Sequence, residues 1–128
     1  MKQQGQTLVT LLFFMVIALT ITTGAIIIIY VNTQAQTKVQ QSQSAYYVAE
    51  SGMENAMIRI LRDPGYTGET VTIGEGTASV SATLSGTVNA GTFTATSSGI
   101  VGNFVRKIQV IGNYTSDVFS IQSWKEIF

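Results

Sequence analysis

The sequence predicts an α+β protein, in which a long N-terminal α-helix is transmembrane in its first half and packs in its second half on a small antiparallel β-sheet. Three observations support this fold class. Residues 8–31 form an uninterrupted apolar segment, and a proline-free segment with helical periodicity follows it. After Gly65 the chain becomes rich in glycine, threonine, serine and valine, and strict alternation replaces the helical period.

The apolar segment 8–31 is long enough to cross a membrane. As a helix it rises about 36 Å, whereas the hydrocarbon core of a bilayer is about 30 Å thick. No charged residue lies between Lys2 and Lys38. A cleavable secretory signal is the alternative, but its apolar region would span about 7 to 15 residues, and no small-x-small cleavage site follows closely. We therefore expect one membrane span, surrounded by lipid.

The helix is expected to continue beyond the membrane to Arg62. Residues 32–62 contain no proline, and Asp63-Pro64-Gly65 supplies the stop, because a residue before proline is pushed out of the helical region. Large side chains recur every seven residues along this segment, and we expect them to pack on the sheet or on another subunit. They are Val39, Tyr46, Met53 and Ile60, and small residues follow the first three at Ser42, Ala49 and Ala56.

The C-terminal half is expected to form an antiparallel meander of short strands. Residues 77–85 alternate most clearly, with apolar side chains at Ala78, Val80, Ala82 and Leu84 and hydroxyls between them. The other strands are predicted at 70–73, 92–97, 103–114 and 118–124, with turns at 74–76, 88–91, 97–99 and 115–117. Most aromatic residues are expected in the core, namely Tyr46, Tyr47, Phe93, Phe104, Phe119 and Trp124.

Composition argues against several functional classes. The chain has no cysteine and no histidine, so thiol nucleophiles, imidazole bases and most structural zinc sites are excluded. Seven basic and seven acidic residues balance, which gives no electrostatic footprint for nucleic acid. Glu50 and Glu54 lie four residues apart, but with no third group they fit a solvated face or a salt bridge between subunits better than an acid/base pair. We expect no enzyme activity, cofactor or metal.

Two stretches point to a family. The leader "KQQG" is followed directly by the apolar "QTLVTLL", and residues 45–57 read "AYYVAESGMENAM". The first stretch resembles the N-terminus of a type IV pilin or pilin-like protein, and the second is similar to the corresponding stretch of PilX-like minor pilins. In that family a membrane aspartyl peptidase, the prepilin peptidase, cuts after the glycine on the cytoplasmic side, and the new amine is methylated. The resemblance, which covers about the first half of the chain, implies cleavage between Gly5 and Gln6 and N-methylation of Gln6.

The resemblance also implies an organisation and a set of partners. Residues 1–5 would be the leader, 6–37 the transmembrane and filament-core helix, 38–63 its amphipathic continuation and 64–128 the sheet domain. The partners would be other pilin subunits, the prepilin peptidase and the inner-membrane pilus assembly machinery, and the protein would pass from the cytoplasmic membrane into an extracellular filament. The filament-core side chains would include Leu8, Thr10, Leu11, Phe14, Ile17, Gly24 and Ile28.

The chain departs from the family at two positions. Gln6 stands where the first mature residue is usually phenylalanine, and Thr10 stands where most major pilins have a membrane glutamate. The Thr10 hydroxyl is expected to bond to the carbonyl of Gln6 in its own helix. This departure favours a minor subunit, at the tip of the filament or initiating it, over a major one.

Three alternatives stay open from the sequence. One is a major pilin of a filament that lacks the buried glutamate, and another is a single-pass, membrane-anchored extracellular binding module, for instance an adhesin, which would keep Met1. A membrane-bound enzyme is disfavoured by the missing histidine and cysteine.

Residues 20–24, Thr-Ile-Thr-Thr-Gly, are either ordinary membrane-helix residues with hydroxyls bonded to the backbone or a point that unwinds in a filament.

Overall fold

The computed structural model describes residues 2–87, 90–115 and 118–128, with side chains in the helix from Gly5 onward. The chain is α+β, as predicted. Its elements are α1 (Lys2–Arg62), β1 (Gly68–Ile73), β2 (Gly76–Thr87), β3 (Ala90–Val101), β4 (Phe104–Thr115) and β5 (Val118–Ile127). It divides into two compact units, Met1–Lys38 and Val39–Phe128.

Helix α1 begins at Lys2 and therefore includes the predicted leader from that residue on. It ends at Arg62, where the sequence predicts the stop. The Asp63 amide donates to the Arg59 carbonyl at 2.8 Å, and the Asp63 side chain accepts from the Gly65 amide at 2.9 Å. These bonds turn the chain at the helix end and satisfy part of its terminal backbone.

The five strands form one open antiparallel sheet in the order β1-β2-β3-β4-β5, as the meander prediction requires. All five predicted strands are present, and most are longer than predicted. A register shift between Ile111 and Gly112 marks an irregularity in the β4–β5 pairing. Both edge strands, β1 and β5, have one side without a strand partner in the described sheet.

The turn predictions have mixed outcomes. The turn at 74–76 is confirmed, with Gly74 in the left-handed region at φ +58°. The turn at 97–99 is wrong, because these residues lie inside β3, where Ser97 and Gly99 continue the inward alternation of Phe93 and Ala95. The chain reverses instead at residues 102–103, where Gly102 has φ +56°. Part of each of the turns predicted at 88–91 and 115–117 falls on residues 88–89 and 116–117, which lie outside the described residues.

The core lies between the second half of α1 and the inner face of the sheet. The alternation predicted for β2 is confirmed, since Ala78, Val80 and Ala82 are buried and Leu84 packs against the core. The main cluster joins helix residues to all three central strands. Its buried members are Ala49, Met53, Met57, Ile60, Ala82, Phe93, Ala95, Ile108, Val110 and Tyr114.

The seven-residue stripe packs on the sheet only in part. Met53 and Ile60 are buried and Tyr46 packs at the core margin, but Val39 is 67% exposed and does not pack on the sheet. Residues 5–41 are exposed on every side of the helix, so Val39 precedes the part of α1 that meets the sheet. Small residues outside the stripe, such as Ala45 and Gly52, take the buried positions instead.

The aromatic prediction is wrong at two positions. Phe93 is buried and stacks on Phe119 with ring centroids 4.6 Å apart, but Tyr47 and Trp124 are 56% and 39% exposed. Tyr46 and Phe104 are partly buried against the core. The helix turns Tyr47 away from the sheet, because Ala45, Val48 and Ala49 occupy the face that meets it.

Candidate functional surface

The most prominent surface in the first unit is the apolar part of α1. The helix is long and apolar enough to cross a membrane, and none of its most hydropathic window is buried within the protein. A signal sequence near an N-terminus passes the same test of length and composition. The predicted filament-core residues Leu8, Leu11, Phe14, Ile17 and Ile28 are all exposed, from 39% at Ile17 to 68% at Leu8.

The hydroxyls within this surface bond to their own helix. Thr10 Oγ1 donates to the Gln6 carbonyl at 2.9 Å, which confirms the bond expected from the sequence. Three further threonines donate in the same way to carbonyls three or four residues earlier, at 2.7 to 2.8 Å: Thr20, Thr22 and Thr23. A hydroxyl satisfied in this way can face hydrocarbon at little cost. The surface is thus compatible with lipid or with another apolar helix.

The helix is continuous through the residues singled out for processing and for unwinding. Gly5 and Gln6 are helical and exposed, and residues 20–24 keep α-helical structure. At both Gly5 and Gly24, apart from the adjacent residues and the backbone of the helix itself, no described atom lies within 4 Å of the place a Cβ would occupy. The two glycines therefore leave flat places on the helix surface, where the backbone of another chain can approach closely.

In the second unit, small residues let the helix lie very close to the sheet. A Cβ built on Gly52 of α1 would stand 2.5 Å from the Cβ of Ala78 and 2.8 Å from Ser97 Oγ. A Cβ on Gly99 of β3 would stand 2.9 Å from the Cα of Ala49 and would clash with the Ala45 carbonyl. Neither position admits a larger side chain without a shift of backbone. The Ser-Ser-Gly stretch 97–99 predicts a turn, and only the continuing alternation of Gly99 with Phe93, Ala95 and Ser97 could have revealed the close approach.

Polar side chains hold the two flanks of the helix to the sheet. On the β1 side, Glu69 pairs with Arg59 at 2.6 Å and accepts a bond from Asn55 Nδ2 at 2.9 Å. On the β5 side, Arg106 pairs with Glu126, and its Nη1 donates to Ser42 Oγ at 3.0 Å. The hydrogen bond to Glu126 is the main reason that the pKa of Arg106 is raised above its usual value.

Tyr114 closes the C-terminal end of the helix. Its buried hydroxyl donates to the Ile60 carbonyl at 2.7 Å, so that it satisfies one of the four carbonyls that a helix end leaves without an intrahelical partner. Burial raises the pKa of Tyr114, because the charged phenolate is disfavoured away from water. Burial also raises the pKa of Tyr66, and the negative charge of Glu69 adds to that effect.

Neither glutamate proposed for an intersubunit salt bridge takes part in an ion pair among the described residues. Glu50 is half-buried and Glu54 is exposed. In the described part of the chain the ion pairs are Arg59–Glu69 and Arg106–Glu126, so Arg59 faces the sheet rather than the glutamates. A bridge from Glu50 or Glu54 to another subunit stays a prediction.

Within residues 2–87, 90–115 and 118–128 there is no group of three or more His, Cys, Asp or Glu side chains that could hold a metal ion. Comparison of the chain with protein-family models, with curated proteins and with solved structures finds no match. The structure itself is compatible with a pilin-like fold, in that a long N-terminal helix with an apolar first half packs, through its later residues, on an antiparallel sheet.

Proposed function

We propose that this protein is a structural subunit of a type IV pilus or pilus-like filament, inserted in the cytoplasmic membrane with its N-terminus inside and polymerised through its N-terminal helix. The observation that supports the proposal most is the fully exposed apolar surface of residues 8–31 on a helix that continues into a folded sheet domain. An exposed apolar surface of this extent requires a partner. Lipid supplies it before assembly, and equivalent helices supply it in the filament.

In the proposed mechanism, the prepilin peptidase removes residues 1–5 and the amine of Gln6 is methylated. The assembly machinery then extracts the subunit laterally from the membrane. The apolar helix packs against its equivalents, so that burial against other subunits replaces burial in lipid. Because Thr10, Thr20, Thr22 and Thr23 bond within their own helix, this exchange leaves their hydroxyls satisfied. The role is structural and involves no catalytic residue of this chain.

Thr10 supports a minor, tip-proximal role over a shaft role. A glutamate at this position would cost on the order of 2.5 to 3.5 kcal/mol inside a bilayer, and would need pairing with the amine of a neighbouring subunit. The Thr10 hydroxyl donates to the Gln6 carbonyl of its own helix, so Thr10 needs no such partner. A subunit of this kind can offer its own amine to the glutamate of a subunit added after it, but it offers no carboxylate to one before it.

The processing step is the direct test of the proposal. Gly5→Leu should abolish cleavage, because a bulky side chain blocks the entry of extended backbone into a protease site at the membrane face. Gly5→Ala is the matched control, and we expect it to retain at least partial cleavage. N-terminal mass spectrometry of the protein isolated from its host measures both. An intact leader on the natural protein in mature filaments or membranes would overturn the pilin proposal and favour a plain membrane-anchored binding module.

A further inference from the structure

On β1, β2 and most of β3 the sheet face that points away from the helix consists of hydroxyl side chains, whereas Ile100, Val105 and Ile111 are apolar positions on the same face. Cross-strand pairs on this outer face join Ser81 to Thr96 and Thr83 to Thr94. Neighbouring strands lie about 4.8 Å apart, so these hydroxyls form a dense, shallow array. Its members on β1, β2 and β3 are Thr70, Thr72, Thr77, Ser79, Ser81, Thr83, Ser85, Thr92, Thr94, Thr96 and Ser98.

Two lysines supply the charge of this face. Lys107 on β4 and Lys125 on β5 are both exposed. Lys125 pairs with Gln109, two residues from Lys107, so the two lysines are diagonal neighbours across β4 and β5, with their Cα atoms about 7 to 8 Å apart. Gln109 and Asn113 add amides to the same face, and Thr92 Oγ1 donates to Asn113 Oδ1 at 3.1 Å.

No carboxylate lies on the outer face of the described strands, although the chain as a whole is neutral. The pairing of Glu69 with Val80 and of Glu126 with Ile108 puts both glutamates on the inner face. The other described acidic residues lie on the helix, just after it or in the turn before β2: Glu50, Glu54, Asp63 and Glu75. Both charged side chains that the described strands place on this face are positive. This face is therefore complementary to an anionic, hydroxyl-rich ligand.

We propose that the outer face of the sheet binds an acidic polysaccharide. Its carboxylates would pair with Lys107 and Lys125, and its hydroxyls would exchange hydrogen bonds with the serine and threonine array. Serine and threonine hydroxyls both donate and accept, which matches them to sugar hydroxyls. The binding belongs to the sheet of a single chain and does not depend on polymerisation, although many copies on a filament would strengthen it through avidity.

Nucleic acid fits this face less well. A DNA duplex carries one charge per about 1.7 Å of its axis, whereas this face offers two cations. Single strands are held largely by stacking on aromatic or arginine side chains. In the described strands the aromatic residues and Arg106 belong to the inner face, as the pairs Phe93–Gly112, Tyr114–Phe119 and Val110–Trp124 show for the central and C-terminal strands.

The test uses the detergent-solubilised full-length chain and a defined oligogalacturonate as the probe, with binding measured by calorimetry. We expect binding that weakens as salt is raised, and that Lys107→Glu/Lys125→Glu reduces by about tenfold or more. Lys38→Glu, an exposed charge reversal on the helix, is the matched control and should leave binding unchanged. If Lys107→Glu/Lys125→Glu does not fold, Lys107→Gln/Lys125→Gln replaces it as the test variant. This neutral variant should reduce binding less than the charge reversal.

A second variant tests the hydroxyl array separately from the charges. Thr83→Val/Thr94→Val/Thr96→Val keeps side-chain shape and strand propensity, and we expect it to weaken binding at constant net charge. Failure to bind the probe, an equal loss with Lys38→Glu, or tighter binding of a DNA duplex than of the oligogalacturonate would each overturn the proposal. None of these results depends on whether the protein is processed or polymerises.

Discussion

At the scale of single residues, the contact between helix and sheet depends on glycines, which have no side chain. Gly52 of α1 approaches the sheet, and Gly99 of β3 approaches the helix, each too closely to leave room for a Cβ. Ser97 Oγ would stand 2.8 Å from a Cβ on Gly52, and this oxygen is buried without a hydrogen-bond partner among the residues that the structure describes. A buried hydroxyl of this kind costs stability, and the close approach of Gly52 leaves room only for a small side chain at position 97.

Gly52→Ala tests this close contact. In an exposed helix the change from glycine to alanine stabilises by about 1 kcal/mol, because glycine loses more backbone entropy on folding. At Gly52 the new Cβ would meet Ala78 and Ser97, and overpacking should destabilise the fold by about 1 to 3 kcal/mol. Thermal and denaturant melts of the detergent-solubilised chain measure the difference. Ser51→Ala, at the exposed neighbouring position, is the control, and a stabilising Gly52→Ala would contradict the packing described.

At the scale of elements, the last turn of α1 is fixed to β4 through Tyr114. The residue stands at the end of β4 opposite Gly91, and its hydroxyl reaches the Ile60 carbonyl. Its ring also packs edge-on against Phe93 and Phe119. One side chain thus joins the end of the helix to the aromatic cluster of the sheet, and its loss should loosen both.

Tyr114→Phe should destabilise the protein by about 1 to 2 kcal/mol, because it leaves the buried Ile60 carbonyl without its donor while the ring packing remains. The substitution should also change the response to alkali. The pKa of Tyr114 is raised in the folded state, so its contribution to stability is complete below the unfolded pKa of about 10 and is lost as pH rises through the folded pKa.

Denaturant melts between neutral pH and pH 11 measure both effects. Tyr114→Phe should lose less stability on alkalinisation than the natural protein, and the remaining loss should include the contribution of Tyr66, whose pKa is also raised. Tyr47→Phe, at an exposed position, is the control. Equal alkaline losses in Tyr114→Phe and the natural protein would show that Tyr114 does not carry the effect.

At the scale of the whole molecule, the protein combines an apolar helical surface without internal partners and a sheet domain with a core of its own. The proposed tip position follows from Thr10, which bonds within its helix and offers no carboxylate to another subunit. Filaments should therefore contain few copies of this chain. Loss of the protein should reduce the number of filaments more than their thickness.

Quantitative mass spectrometry of sheared filaments decides the copy number. Thr10→Glu should be neutral or should move the subunit toward incorporation along the shaft, because it supplies the carboxylate that shaft subunits share with a neighbouring amine. Thr22→Ser, which keeps a hydroxyl in the same helix, is the control. If this chain is the dominant protein of the filament, the tip assignment is wrong, and Thr10 instead marks a filament that assembles without the buried ion pair.

Much of the fold could be predicted because its signals are local. The uncharged segment after Lys2 indicates the membrane-spanning helix, Asp63-Pro64-Gly65 indicates its end, and alternation indicates the strands from β1 to β5. Short turns between consecutive strands then favour a meander, since neighbours in sequence become neighbours in the sheet. The Thr10 bond was also predictable, because its acceptor lies four residues away in the same helix.

The sequence by itself determined the elements, their order and the apolar surface, because periodicity over a few residues encodes which face of an element is apolar. Tertiary structure alone decided which residues meet across elements. It left Val39 outside the contact with the sheet, placed Gly99 in β3 against the helix, paired Arg59 with Glu69 and brought the Tyr114 hydroxyl to the Ile60 carbonyl. These outcomes depend on how the helix meets the twist and register of the sheet, and residues up to 64 positions apart in the chain make that contact together.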